Sequence, residues 1–455
     1  MTDNFAPVDR EIAVADLPIQ GIAPDGLTGT LYRNGPNPRF PAPDGHWFTG
    51  DGMLHAIEFR EGTAAYRNRW VRTPKFLAEE QSGRSLFRGF GGKRPDAPAG
   101  TPDDGGVANT HILRHAGRLL ALEEAHPPTV IDPADLSTRG YLDLISGPFT
   151  AHPKIDPISN EMLFFGYNAA GPFTPTIRFG TLDSSGAVSR QMRFEAPYAS
   201  MVHDFMITGR HVLFPVLPLT GSMERAHAGC PPYAWEPDKG ACVGILPRTA
   251  GQAAPRWFQA EACYAFHVMN AWEEGDLIFA DVITFDEPPL FPRADGRPSD
   301  PARQSGRLMR WRFDLAAGTD RFTRAPLDDL AGEFPRIDDR RAGLAYRHGW
   351  FACARPGMNE PAFDGIAHLD HASGKRTIYW LPEGDRLSEP VFAPRGAEEG
   401  DGWLLTVVWR PRLDLSEVLV FEARDIGAGP VAWVRLPARV PFGFHGSWIS
   451  PRTNP

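Results

Sequence analysis

Cysteine is scarce in this 455-residue chain: Cys230, Cys242, Cys263 and Cys353 stand alone, with no CxxC pair and no dense spacing. A chain this long needs no disulfide staples, and a reducing cytoplasm is the expected setting. Lysine is also sparse, limited to Lys75, Lys93, Lys154, Lys239 and Lys375 among 47 basic residues, a bias from which no function follows. The formal charge of −9 and the pI near 5.9 leave no broad basic field to neutralise phosphates, so nucleic acid is not an expected partner. No stretch approaches the ~18 apolar residues that a spanning helix requires. Met1–Ala15 carries Asp3, Asp9, Arg10 and Glu11 and lacks the apolar core of a secretory signal. The GxSxG elbow, the HExxH helix, the GxGxxG fingerprint and the Walker loop are missing too. A catalytic site here must be assembled from residues far apart in sequence.

What the chain has in abundance is punctuation. Glycine (46) and proline (45) make up one residue in five and fall between short β-rich runs. Alternation is plain in Leu54–Arg60, and strand-length runs recur at Met162–Tyr167, His211–Val216, Leu277–Phe285, Leu308–Asp314, Thr377–Leu381, Trp403–Trp409, Val418–Glu422 and Val431–Leu436. Turn sequences separate them: DSSG at Asp183–Gly186, EEGD at Glu273–Asp276, ASGK at Ala372–Lys375 and EEGDG at Glu398–Gly402. Convincing amphipathic helices are few. Strands this regular predict one all-β domain over residues 1–455, a propeller or a large barrel. The Pro- and Gly-rich segments 83–106 and 286–304 are longer than ordinary turns and read as candidate lid or substrate-tunnel loops. The Gly50–Gly52 run is a tight turn between strands and not a phosphate loop.

Four of the fourteen histidines stand out by their apolar, strand-like contexts: His152 in FTAHPKIDP, His203 in MVHDFMIT, His267 in FHVMNAWEEGD and His445 in FGFHGSWIS. They lie 51, 64 and 178 residues apart, too far for one helix or hairpin to hold any two. A propeller whose strands converge on an axis would gather them, and imidazole suits iron, copper, zinc and nickel alike. The other ten histidines read as structural.

The segments LYRNGPNPRF (Leu31–Phe40), HWFTGDGMLHAIEF (His46–Phe59) and YRNRWVRTPKF (Tyr66–Phe76), with the four histidine contexts in order, resemble the carotenoid cleavage oxygenases. The resemblance runs from about Gly29 to Trp448. It implies a seven-bladed β-propeller with loops capping one face, and an axial iron(II) held by His152, His203, His267 and His445. It also implies O2 as co-substrate and no organic cofactor. Three glutamates matching family positions, Glu124, Glu333 and Glu389, would accept N–H bonds from the ligand histidines. Glu123 competes with Glu124, but alternation along a strand would let only one serve. Thr110, in VANTHI, matches a threonine near an open iron position.

The family divides into cleavers of carotenoids or apocarotenoids and cleavers of stilbene- or isoeugenol-type aryl alkenes. A tyrosine and a lysine that hold the phenol in lignostilbene-type members correspond here to Phe90 and Glu123. Their absence favours an apolar polyene, while VHDFMIT, YAWEPDKG and AWEEGD resemble the branch that cleaves aryl alkenes. A non-catalytic scaffold would have no reason to keep four histidines and three glutamates. The bond cleaved, the number of oxygen atoms incorporated, the oligomeric state and any peripheral membrane contact stay open at this stage.

Overall fold

The computed structural model describes residues 3–42, 44–90, 92–249, 251, 253–357 and 362–451. It divides into two compact units, residues 1–146 with 377–455, and residues 147–376.

The first unit is built from three antiparallel sheets. One runs Ala13–Val14, Thr63–Trp70, Gly52–Arg60, Gly29–Pro36 and Gly446–Ile449, so strands from both ends of the chain close a single sheet. The second is a meander of His111–His115, Arg118–Leu122, Thr129–Ile131 and Thr138–Tyr141. The third centres on Gly402–Arg410 and Leu415–Glu422, with Ala432–Arg435 and Ile19–Gly21 on one side and Val391–Pro394 and Arg386–Leu387 on the other. Alternation explains the packing. In Gly52–Arg60, Leu54 faces a cluster with Ile112, Leu119, Ala121 and Ile131, whereas Ile57 and Phe59 face Leu405, Val418 and Val434. The terminal-closing sheet is thus buried on both faces.

In the second unit, one meander comprises Lys154–Ile155, Met162–Gly166, Thr176–Leu182 and Val188–Glu195, and another Met206–Ile207, His211–Val216, Ala241–Pro247 and Arg256–Ala260. A continuous path then runs through Val268–Glu274, Leu277–Thr284, Arg307–Asp314, Thr323–Ile337, His348–Cys353 and Gly365–Asp370. The 15-residue Thr323–Ile337 serves two sheets: its first part pairs with Arg307–Asp314 and its second with His348–Cys353. Phe205, Phe179 and Phe194 pack around Phe214 in the core, with ring centroids 5.0–6.0 Å from it. The tight hairpin joining Val268–Glu274 to Leu277–Thr284 needs a residue at φ +63°, which Gly275 supplies without strain.

Among the described residues, three larger antiparallel sheets in the first unit and four in the second, besides the two-stranded pairs Phe87–Arg88 with Gly92–Lys93 and Leu219–Gly221 with Tyr233–Trp235, give the expected all-β propeller class. All nine β-rich runs are strands. The loops behave less uniformly: 83–106 contains the short pair Phe87–Arg88 and Gly92–Lys93, with Gly91 outside the described residues, and 286–304 contains one 3-10 turn, Pro301–Arg303. Among the described residues, no helix is long and apolar enough to cross a membrane.

Candidate metal centre

Three of the four singled-out histidines converge within the second unit. Each sits just ahead of an edge strand: His152 before Lys154–Ile155, His203 before Met206–Ile207 and His267 before Val268–Glu274. Their ligand atoms lie within 4.8 Å of one another. His203 Nε2 is 3.1 Å from both His152 Nε2 and His267 Nε2. A neutral imidazole carries one N–H, so His203 cannot donate to both neighbours, and His267 keeps its own proton elsewhere. Three nitrogens facing one another in this way call for a cation between them.

The spacing admits such a cation: nitrogens 3.1 Å apart leave room for a metal ion ~2.1 Å from each, an ordinary imidazole–metal distance. An all-imidazole donor set that leaves positions open suits a divalent first-row metal such as iron(II).

His267 is oriented by an irregular stretch of the long strand. Its Nδ1 is 2.5 Å from Glu333 Oε2, in a site where Glu333 is 5% exposed. The pairing register shifts between Glu333 and Arg336, and Phe334 sits there at φ +55°. This bulge turns two successive side chains onto one imidazole: Glu333 accepts its N–H, and the Phe334 ring stacks on it at 5.5 Å and 25°. The Phe334 N–H also donates to the Glu333 carboxylate.

In the first unit, His445 precedes its own edge strand, Gly446–Ile449. Its Nδ1 is 2.9 Å from Glu389 Oε1, while Gly446 N donates to Oε2 at 2.8 Å. A side chain at 446 would put a Cβ 2.3 Å from the Tyr32 carbonyl oxygen, so the glycine permits this approach. Arg33 Nη1, equally buried, lies 4.0 Å from Glu389 Oε2 and donates to the Phe444 carbonyl at 3.1 Å. Both glutamates thus fix the tautomer with the proton on Nδ1, which puts the lone pair a metal would take on Nε2. Thr110 is a close neighbour: its carbonyl accepts from His445 N at 3.1 Å, and its hydroxyl donates to Asn109 Oδ1 at 2.9 Å.

Glu123 and Glu124 lie just beyond the strand Arg118–Leu122, so strand alternation does not separate them. Hydrogen bonding gives them different surroundings. Glu123 is buried, accepts from Ala125 N at 2.7 Å and pairs with His126 Nδ1; Glu124 is half-buried. His126 Nε2 is 3.4 Å from Asp104, which also accepts from the Tyr141 hydroxyl at 3.0 Å. Burial works against the His126 charge, but the carboxylates of Glu123 and Asp104 outweigh it and raise the imidazole above its ordinary value. Sequence reasoning left His126 as structural; Asp104 and Tyr141 come to it and to its near neighbour Glu123 from other segments and share no motif with them. Phe90 is 38% exposed, with its ring 5.0 Å from that of His46.

A family model described as retinal pigment epithelial membrane protein matches residues 5–450. The isoeugenol monooxygenase of Pseudomonas nitroreducens is 36% identical over 99% of this chain and 97% of its own. The crystal structure of Pseudomonas brassicacearum lignostilbene dioxygenase, 34% identical, superimposes with a TM-score of 0.93 over 98% of this chain and 97% of its own. A variant of the Synechocystis apocarotenoid oxygenase, 28% identical, gives 0.88 over 98% of both chains.

Proposed function

The chain belongs to the carotenoid cleavage oxygenase family, and from that premise we propose that it is an iron(II) oxygenase that splits the side-chain double bond of a phenylpropanoid- or stilbene-type aryl alkene. The expectation of an apolar polyene gives way to its runner-up. The carrying observation is similarity: the relatives named for isoeugenol and lignostilbene resemble this chain more closely than the apocarotenoid oxygenase does.

His445 is the fourth ligand in this reading, since it holds the same place ahead of an edge strand as His152, His203 and His267, and Glu389 orients it as Glu333 orients His267. Glu124 is assigned the third orienting role, and Thr110 borders the open coordination position. Iron(II), when bound, would supply the redox chemistry that couples triplet O2 to a closed-shell alkene. The overall change balances without a reductant: the C=C bond breaks, and each carbon gains one oxygen to give two carbonyl products. The protein's share is to orient one double bond and exclude water, with segments 83–106 and 286–304 as candidate covers.

The test is a panel of isoeugenol, 4-hydroxystilbene and an apocarotenal offered to the iron-loaded protein, with aldehydes identified by mass. An aromatic aldehyde should appear with the highest kcat/KM on a phenolic alkene. Turnover of the apocarotenal alone would overturn the reading.

A further inference from the structure

We propose that Asp204 is a positioning residue of the metal centre, whose carboxylate ties together the three segments bearing His152, His203 and His267 and so sets the spacing of their Nε2 atoms. This rests on reading those imidazoles as metal ligands. None of the three lies inside a strand; each occupies a junction ahead of one. Junctions lack the ladder of hydrogen bonds that fixes a strand, whereas a working metal site needs its ligands held to within about 0.5 Å. Something lateral has to supply that precision.

Asp204 follows His203 directly and is 4% exposed. Its Oδ1 accepts from Lys154 Nζ at 2.7 Å, and Lys154 is two residues beyond His152. Its Oδ2 accepts from the backbone N–H of Val268 at 3.0 Å, and Val268 is the residue after His267. A further bond, from Phe205 N to Oδ1 at 2.8 Å, pins the carboxylate to its own segment. One side chain thus bonds to the opening strands of two sheets, at Lys154 and Val268, and to the residue just ahead of the opening strand of the sheet between them, each time within two residues of a proposed ligand. The Lys154 ammonium balances the buried charge and lies 5.9 Å from the centroid of the fully buried Phe205 ring, which anchors that arm in the core. Charge-assisted bonds of this kind are short and directional, which suits them to fixing a distance.

Asp204→Asn keeps the shape but loses the charge and one acceptor oxygen. The comparison variant is Glu273→Gln. Glu273 joins the sheets that follow His203 and His267, through Thr208, Arg210 and His211, towards the far end of Val268–Glu274, roughly 17 Å along the strand from Val268. Metal-stripped full-length proteins would be titrated with Co(II), following visible absorption and affinity, and their metal-free thermal unfolding recorded by circular dichroism. Asp204→Asn should bind Co(II) about 10- to 100-fold more weakly, with an altered absorption band. Glu273→Gln should keep both even where its metal-free stability falls as far. Lys154→Met, which leaves the Val268 bond in place, should show a smaller loss and serves if Asp204→Asn does not fold. Wild-type affinity and spectrum in Asp204→Asn and Lys154→Met would overturn the proposal, as would an equal loss in Glu273→Gln. A wild-type protein that binds no Co(II) would overturn the metal reading along with it.

Discussion

Replacing Glu333 by glutamine isolates the charge of one carboxylate. The amide keeps an oxygen where Oε2 now accepts from His267 Nδ1 at 2.5 Å and from the Phe334 N–H, so the geometry can persist while the bond becomes neutral. Hydrogen bonds to charged groups contribute about 1.5–3 kcal/mol and neutral ones about 1. The difference, ~0.5–2 kcal/mol, corresponds to roughly 2- to 30-fold in affinity. Glu333→Ala, which removes the acceptor altogether, should reach the upper end of the ~10- to 100-fold range seen when such supporting partners are lost. Fe(II) affinity would be measured anaerobically by chelator competition, with circular dichroism of the metal-free protein as a check on folding. Glu389→Gln provides the contrast. Its carboxylate lies 4.0 Å from Arg33, and both side chains are 2% exposed, so that variant should also lose folding stability, up to about 3 kcal/mol. Glu124→Gln should lower affinity in the manner of Glu333→Gln. Wild-type Fe(II) affinity in both Glu333 variants would refute the orienting role.

Two further outcomes follow from the electrostatics. Glu123→Lys would remove the carboxylate that raises His126 and set a cation in its place, so the variant's destabilisation should grow as pH falls and a proton on His126 would face the new ammonium; the Phe90→Tyr, Glu123→Lys double variant, given the paired phenol contacts of lignostilbene-type members, should gain on 4-hydroxystilbene at higher pH, and an unchanged kcat/KM there would refute those contacts. Burial pushes His46 and His368 down to about 4 and His55 to about 3. These groups bind fewer protons folded than unfolded, so their contribution is complete above pH ~6.5 and is lost as pH falls towards those values. Chemical denaturation between pH 7 and 4 should show falling stability with a shallower slope in His55→Gln, and identical slopes would count against the buried-neutral assignment.

The strands and the histidine contexts were legible because each depends on local pattern: alternation, Gly-marked turns and apolar flanks. Thr323–Ile337 was not. Its Pro326, Asp328, Asp329, Gly332 and Pro335 are turn residues, and only pairing with different partners along its length makes it a strand. The helix Pro74–Ser82 did carry its signature, with Thr73 capping Phe76 N, proline at the first position and Gly83 at φ +69°, though a nine-residue helix adds little to an apolar periodicity. Asp204 was visible as the residue after His203, but its bonds to Lys154 and Val268 span 50 and 64 residues and depend on how sheets abut. The substrate class was less legible for a related reason: Phe90 and Glu123 were weighed as missing anchors, whereas the hydrogen-bonding neighbours beyond His126, Asp104 and Tyr141, come from separate segments.

The uneven spacing of the four proposed ligand histidines has a structural origin of its own. The 178-residue gap between His267 and His445 is broken by Glu333 and Glu389 into steps of 66, 56 and 56 residues, comparable with the 51 and 64 between the earlier histidines. Each of these residues opens a sheet. His152, His203, His267 and His445 precede edge strands, Glu333 stands where the long strand passes to its second sheet, and Glu389 is two residues ahead of Val391–Pro394. The remaining sheet opens on Thr110, directly before His111–His115 and 42 residues ahead of His152. Among the described residues, each of the seven larger sheets thus carries one of these seven residues at or near its opening: four imidazoles, two carboxylates and a threonine. A repeat architecture offers a similar backbone position once per sheet, and the chemistry is set by which side chain fills it. In the proposed reading Thr110 borders the open coordination position because it is the one of the seven with a small side chain that has neither a basic nitrogen nor a carboxylate, and Thr110→Val should then leave metal affinity near wild type while changing kcat, the reverse of the Glu333 variants.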